Sequence, residues 1–544
     1  MSDLSIYWNT VKYLRPTQIW SRLLGLFRPN KRFFFEKIPV AYRTVKISIP
    51  ELDCDDVFVN RFGLEQIKGR KVCLLNQIVD LNYSSEYIRT LKPLIVNNLF
   101  YFEYGIALAA KYRETKEIVF WNQFKTCYEE YLSAKANLKS VYSMALHLPN
   151  VLISLDLFGD AVDADFRDRV YCELYSQYLY IQKHLETHLL ANHYFEDLKA
   201  LIIASYMFKD DNKLKGYLSL LKKQCEEQIL GDGVHFELSL MYHKLILEDL
   251  MRIGMLSKCL DFPNSEWLVP FIQKMTDACY SLEKGIGRTP LFNDSGDNVA
   301  KKCRQLQLAA ERYFDVRPIE KFAFADSGYY KIYDDNKALI IDAGSIGVDY
   351  QPAHGHCDCL SYELSIDGKP LFVNSGTFEY QGNLRRHFRT TSAHNTVIIG
   401  GHEQSQCWGG FRVARRIRKV RGFLHRNSFE GCYENYLGEE HVRKVRLSDA
   451  VLSVVDTTKS KSGNVVKSYL RLAPGYTIDD DIIVDKYRNA VCKIKTIDCE
   501  MEIEKTEKQC YYAAEFGKLM SVTCLVFIWQ QNNARHGYII DFNI

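Results

Sequence analysis

The chain has 544 residues, 47% hydrophobic and 25% charged, with 70 Lys and Arg against 67 Asp and Glu and a formal net charge of +3. That length calls for two or three domains rather than one core, and the composition is that of an ordinary soluble globular protein. The charge balance excludes a nucleic-acid partner recruited by bulk charge.

The opening stretch, MSDLSIYWNTVKYLRPTQIWSRLLGLF, lacks a continuous apolar segment and a small-residue cleavage site, so no secretory signal is expected. No run of about 18 apolar residues appears, so no membrane span is expected. With no export signal, the 16 cysteines read as reduced thiols in a cytoplasmic protein rather than a disulfide framework.

Up to about residue 315 the period is helical. EYIRTLKPLIVNNLFYFEYGIALAAKY and LKALIIASYMF carry apolar residues at i, i+3, i+4 and i+7. Short polar breaks such as KDDNK and GDGVH separate the segments, as expected for helical hairpins laid side by side. No repeat of fixed length appears, so a regular solenoid is not expected.

From about residue 320 the texture changes. GYYKIYDDNKALIIDAG, LSYELSIDGKPLFVNSGTF and HNTVIIGG are short runs punctuated by Asp-Asn, Asp-Gly and Gly-Gly. They predict antiparallel strands, with IDGKP as a hairpin turn. The architecture is α first, then β, giving domains 1–318 and 319–544.

The first candidates for chemistry lie on helices. In LLANHYFEDLKAL, Asn192 and His193 open an apolar helix, where Asn192 would serve equally as an N-cap. In GDGVHFELSLMYHKLILEDL, Tyr242 and His243 follow Ser239, a candidate N-cap, and Tyr242 would serve equally as a core aromatic. In HGHCDCLSYEL, His354, His356 and Asp358 share one parity, with Cys357 and Cys359 on the other. Cys357 and Cys359 have no second C-x-x-C pair, so a zinc finger is not expected. His394 precedes another strand, and a sheet can bring it to His356.

Taken together, ANHYFEDLKAL, DGVHFELSLMYHKLILEDL, HGHCDCLSYELSIDGKPLFVNSGTFEY and FRTTSAHNTVIIGGHEQS resemble, in that order, the heparinase II/III family of polysaccharide lyases, related to a family of alginate lyases. The resemblance covers roughly residues 90 to 480. It implies an incomplete α/α toroid followed by an antiparallel β-sandwich, in agreement with the periodicity. It also implies β-elimination on a polysaccharide containing uronic acid, so the partner expected is an anionic glycan such as a glycosaminoglycan.

By position in the motifs, Asn192 matches the residue that hydrogen-bonds the uronate carboxylate, with His193 beside it. Tyr242 matches the catalytic tyrosine, acting as acid and, for one C5 configuration, as base. His354 matches the base for the other configuration, and Tyr380 a substrate-contacting tyrosine. His356 and His394 match two ligands of a structural metal. The third ligand in relatives is an Asp, where this chain has Asn374 in VNSGT. A neutral amide binds a cation such as zinc more weakly than a carboxylate, so occupancy is expected to be weak or absent. Asp358 is the nearest other carboxylate.

Arg385, Arg386 and Arg389, and Arg412, Arg415, Arg416, Arg418, Lys419 and Arg421 in FRVARRIRKVRGF, are candidates for contacting glycan carboxylates or sulfates, and equally for a solvated strand face. The opening segment resembles the N-terminus of heparinase-like proteins associated with bacterial capsule or exopolysaccharide production. A uronate C5-epimerase would need the same groups, and a non-catalytic glycan-binding protein would keep the fold.

Overall fold

The computed structural model describes residues 3–27, 41–134, 140–258, 266–460, 465–504, 510–532 and 534–544. The helical part runs to the helix Cys303–Phe314, and the first strand of the β part is Ala323–Phe324. Its helices pack on one another: Glu103–Thr115 on Val141–Phe158, Ala191–Met207 on Asp211–Gln228, and Leu240–Lys258 on Leu268–Glu283. One long apolar stretch that reads as continuous in the sequence is broken at Phe102, whose φ of 54° separates Pro93–Tyr101 from Glu103–Thr115. Among the described residues, Val141–Ala161 alone is long and apolar enough to cross a membrane, and 78% of its most apolar window is buried in the toroid. A small hairpin, Lys71–Leu74 with Gln77–Asp80, interrupts the helices, and helical periodicity gives no sign of it.

The β part contains sheets of eight, five and four strands, with every named strand pair antiparallel. Strands such as Val451–Lys459 alternate strictly between buried and partly exposed positions, the signature of a sheet with one wet face. The five-stranded sheet departs from that rule, and Lys337–Asp342 is buried at all six positions. Leu339 and Ile341 point into the sandwich core with Phe429, Val445 and Leu470. Ala338 and Ile340 point the other way, into a core with Leu240, Ala278 and Leu282 from the toroid. This sheet is therefore the layer that joins the two halves. Its Asp-Gly hairpin forms as the sequence predicts, with Asp367 and Gly368 at φ 51° and 70° between paired Ile366 and Lys369.

Inside the sandwich, fully buried Arg443 donates to Asp456 through Nε (2.7 Å) and Nη2 (3.0 Å). Its Nη1 donates to the carbonyls of Leu360 (2.8 Å) and Asn395 (2.6 Å), tying down the segments that follow His356 and His394. Burial opposes the charge on Asp456, but Arg443 and His441 hold its carboxyl well below the usual range. Arg443→Met would leave that carboxylate uncompensated and should cost about 3–5 kcal/mol in equilibrium unfolding. Adding Asp456→Leu should recover much of the loss. A cost below about 1 kcal/mol for the single change would contradict this reading.

Candidate active site

Part of the candidate set meets at a cavity of about 880 Å³ between the toroid and the sandwich. His193, Tyr242, His354, Tyr380 and Arg412 all line it. Backbone strain marks the segments that deliver them. Leu190 and Ala191 have φ of 64° and 52° just before Asn192, Leu238 has 57° before Tyr242, and Asn293 has 54° before Asp294. Such values are costly for residues with side chains and persist where surrounding contacts over-determine them. Gly355 is needed for space, since a Cβ there would lie 2.1 Å from the Ile346 carbonyl oxygen.

The organising group is Asp294, which the sequence motifs did not single out. Its Oδ2 accepts from His354 Nδ1 (2.9 Å) and its Oδ1 from His356 Nε2 (2.8 Å). Arg385 grips both oxygens, with Nη2–Oδ2 at 2.8 Å. Burial opposes the charge, yet Arg385 and the two imidazoles hold this carboxyl well below the usual range. With His354 Nδ1 donating to Asp294, Nε2 is the nitrogen left to face other groups. Asn192 Nδ2 donates to that Nε2 (3.3 Å) and to Glu237 (2.8 Å).

Asn192 is therefore in the first turn of its helix rather than at the cap, and it stands behind His354 instead of on the cavity wall. Reaching a sugar carboxylate requires its bond to His354 to be exchanged. His193 lines the cavity and pairs with Glu186 through Nδ1 (2.8 Å). The rings of Tyr242 and His354 lie 4.2 Å apart, and the Tyr242 hydroxyl is 2.9 Å from that of Tyr380. Burial pushes the Tyr242 phenol well above its ordinary value, so it is protonated at neutral pH.

Two arginines expected at the substrate are placed elsewhere. Arg385 is 2% exposed and neutralises Asp294, and Arg389 is 1% exposed and donates to the carbonyls of Gly355 and Gly410. Both brace loops instead of facing the cavity: Arg385 is on the buried side of the short helix Asn383–Phe388 and Arg389 caps it, whereas Arg386 is exposed.

The metal-like cluster also differs from the motif. His394 Nδ1 is hydrogen-bonded to Asn374 Oδ1 at 2.5 Å, so Asn374 orients the ring from behind. This leaves His394 Nε2, and likewise His356 Nδ1, buried without a hydrogen-bond partner. Donor atoms of His356, Asp358 and His394 lie within 4.8 Å of one another. Burial pushes the Asp358 carboxyl up to about 7. Two imidazole lone pairs and a carboxylate converging in a buried space fit a divalent cation such as zinc. The His356 link to Asp294 supplies the usual outer support for such a ligand.

Asp294 makes stability depend on pH. Its folded value lies below the ~3.9 of an unfolded aspartate, so the stability it lends is present above that pH and is lost as pH falls through the folded value. Asp294→Asn should therefore be less stable than the parent at neutral pH by about 3 kcal/mol, since Arg385 is left buried and unpaired. The gap should narrow on acidification below about pH 4. A gap that is constant from neutral to acid pH would contradict the assignment of Asp294 as the charged partner.

Residues 103–320 match the heparinase II/III N-terminus and residues 316–528 the heparinase II/III-like C-terminal domain. A heparin-sulfate lyase of Pedobacter heparinus is 25% identical over 222 residues, 35% of this chain and 33% of that protein. One of Bacteroides thetaiotaomicron is 25% identical over 233 residues, 34% and 32% of the two chains. The match thus spans about a third of the length of these relatives. A heparinase III crystal structure superposes with a TM-score of 0.66 at 14% identity, covering 99% of this chain and 93% of that one. A Streptomyces coelicolor chondroitin AC lyase does so at 0.50 and 11%, covering 97% and 82%. At such identities the likeness is one of fold: a helical part followed by antiparallel sheets. With two family models matching consecutively from residue 103 to residue 528, the chain belongs to the heparinase II/III-like family.

Proposed function

We propose that the chain is a polysaccharide lyase that cleaves a uronic-acid-containing glycan of the glycosaminoglycan class by β-elimination. The observation that carries this reading is the pairing at the cavity wall of an unprotonated imidazole nitrogen with a protonated phenol. His354 Nδ1 donates to Asp294 while the Asn192 amide donates to Nε2, which makes Nε2 the accepting nitrogen. Tyr242 keeps its proton because it is buried.

In the proposed reaction His354 Nε2 takes the C5 proton of the uronate. The C5–H electrons form the C4–C5 double bond as the C4–O bond breaks. The departing oxygen takes the Tyr242 proton. Negative charge gathers on the uronate carboxylate during proton removal, and the Asn192 amide, once its bond to His354 is exchanged, would be the neutral donor to it. The bacterial capsule or exopolysaccharide setting rests on the likeness of the opening segment alone.

We also propose that His356 Nδ1, His394 Nε2 and Asp358 hold a divalent cation, with Asp358 supplying the charge that Asn374 lacks. The cation would supply a fixed positive charge that braces two loops of the site, while His354 and Tyr242 carry the proton transfers.

Tyr242→Phe keeps the ring and removes the hydroxyl, so it should melt like the parent and lose about 10²–10⁴-fold in kcat. A variant that folds normally and stays fully active on a cleaved glycan would remove Tyr242 from the reaction. For the cation, elemental analysis of protein from zinc-supplemented cultures should find about one ion per chain. Asp358→Asn should lose the ion, and chelation should lower the melting temperature of the parent but not of that variant. Parent protein without metal, and a melting temperature indifferent to chelator, would overturn this assignment.

A further inference from the structure

The N-terminal segment, apart from both family matches, crosses the cleft. Gln18 is fully buried; its Oε1 accepts from Arg15 N (3.0 Å), and its Nε2 donates to the carbonyls of Leu189 and Tyr350 (3.3 Å each). Ser21 is hydrogen-bonded to Thr187 at 2.8 Å, just before the turn that delivers Asn192. At the other end Thr10 accepts from Trp408 Nε1 (2.9 Å), and the Tyr7 ring meets Trp408 edge-on at 5.1 Å. The segment is thus fastened to both halves and forms part of the cavity wall.

It brings Arg22 into that wall, where Nη2 donates to the His188 carbonyl (3.2 Å). Arg412 lines the same cavity, its guanidinium 4.8 Å from the Trp408 ring. Burial and the nearby charge of Arg412 both weaken proton binding by Arg22, so the two cations sense each other. Neither has a carboxylate partner among the described residues. The other Lys and Arg side chains of the wall are spoken for: Lys199 by Asp249, Arg252 by Asp53 and Arg416 by Asp349. Two guanidiniums that repel each other across a cleft are stabilised by an oxyanion between them, which each can hold through paired N–H donors. Phe411, next to Arg412, packs against His354 at 6.4 Å and Tyr380 at 5.6 Å. Arg412 is thus one residue from a ring that packs on both His354 and Tyr380.

We propose that Arg22 and Arg412 form an anion subsite that binds a sulfate or a second carboxylate on the sugar next to the reacting uronate. This rests on the lyase reading and specifies its substrate: a glycan charged on the N-terminal side of the cleft. On the toroid side the lining acids Glu196, Glu248 and Asp249 already pair with Lys199 and Arg252, so those cations are not offered to a second anion there.

The test is calorimetric binding of heparan sulfate oligosaccharides, and of the same oligosaccharides after desulfation, to the parent, Arg22→Gln, Arg412→Gln and the double variant. Gln at 22 keeps a donor for the His188 carbonyl, and melting temperatures check the fold. Each substitution should weaken binding of the sulfated probe about tenfold and flatten its dependence on salt. If the bound group is sulfate, the desulfated probe is indifferent to the changes; if it is a carboxylate, both probes weaken together. Unchanged affinity and salt dependence for both probes, or no binding to the parent, would overturn the subsite. Cleavage of the probes by the parent is scored separately. Binding that depends on the two arginines without any cleavage would sink the lyase reading and leave the subsite standing.

Discussion

Asp294 has to stay ionised where its side chain meets no water, and the rest of the site is arranged around that need. Its two oxygens receive two imidazole protons and a guanidinium. An uncompensated buried carboxylate would cost several kcal/mol, so His354, His356 and Arg385 cannot relax independently. The same bonds fix which nitrogen of each imidazole is free. His354 presents Nε2 to the Asn192 amide, and His356 presents Nδ1 toward Asp358 and His394. One carboxylate thereby sets the chemistry of two neighbouring centres.

The position of Asp294 depends in turn on how the halves are joined. It lies on a segment after the helix Leu268–Glu283, and that segment is stitched to the five-stranded sheet. Leu291 N donates to Glu363 (2.9 Å), Asn293 N to Asp358 (2.8 Å) and the Asn293 amide to the Leu238 carbonyl (2.9 Å). Because the sheet is buried on both faces, it carries toroid and sandwich as one support. A cleft made this way has rigid walls of different origin: a strained helix start, a loop over the sheet and the strap of residues 3–27. Such walls suit proton transfers that tolerate little error in position.

Much of this was legible in the sequence, and the exceptions have physical reasons. The change from a 3.6-residue to a two-residue period marked the passage from helices to strands. Asp367-Gly368 could form little other than a tight hairpin. His356, Asn374 and His394 do come together, because flanking strand patterns constrain them. Asp294 was hidden since NDSG carries no period and reads only as a loop; its value arises from partners 60 to 91 residues away. Glu237 was passed over beside the more familiar Tyr242. Arg385 and Arg389 looked like glycan ligands because charge is normally exposed, and nothing local announces a buried counter-charge. The parity argument for Asp358 assumed an extended strand, whereas residues 354–360 form a turn-rich loop. That loop still delivers the carboxylate to the histidines.

The most direct test of the account is to incubate the parent protein with a panel of uronate polysaccharides in D2O and follow the products by ultraviolet absorbance and NMR. The account predicts shortened chains that end in an unsaturated uronate, with a C4–C5 double bond and no deuterium in uncleaved residues. Deuterium at C5 in chains of unchanged length would contradict it and indicate an epimerase; glycan that binds the cleft and is returned unaltered would contradict it as well.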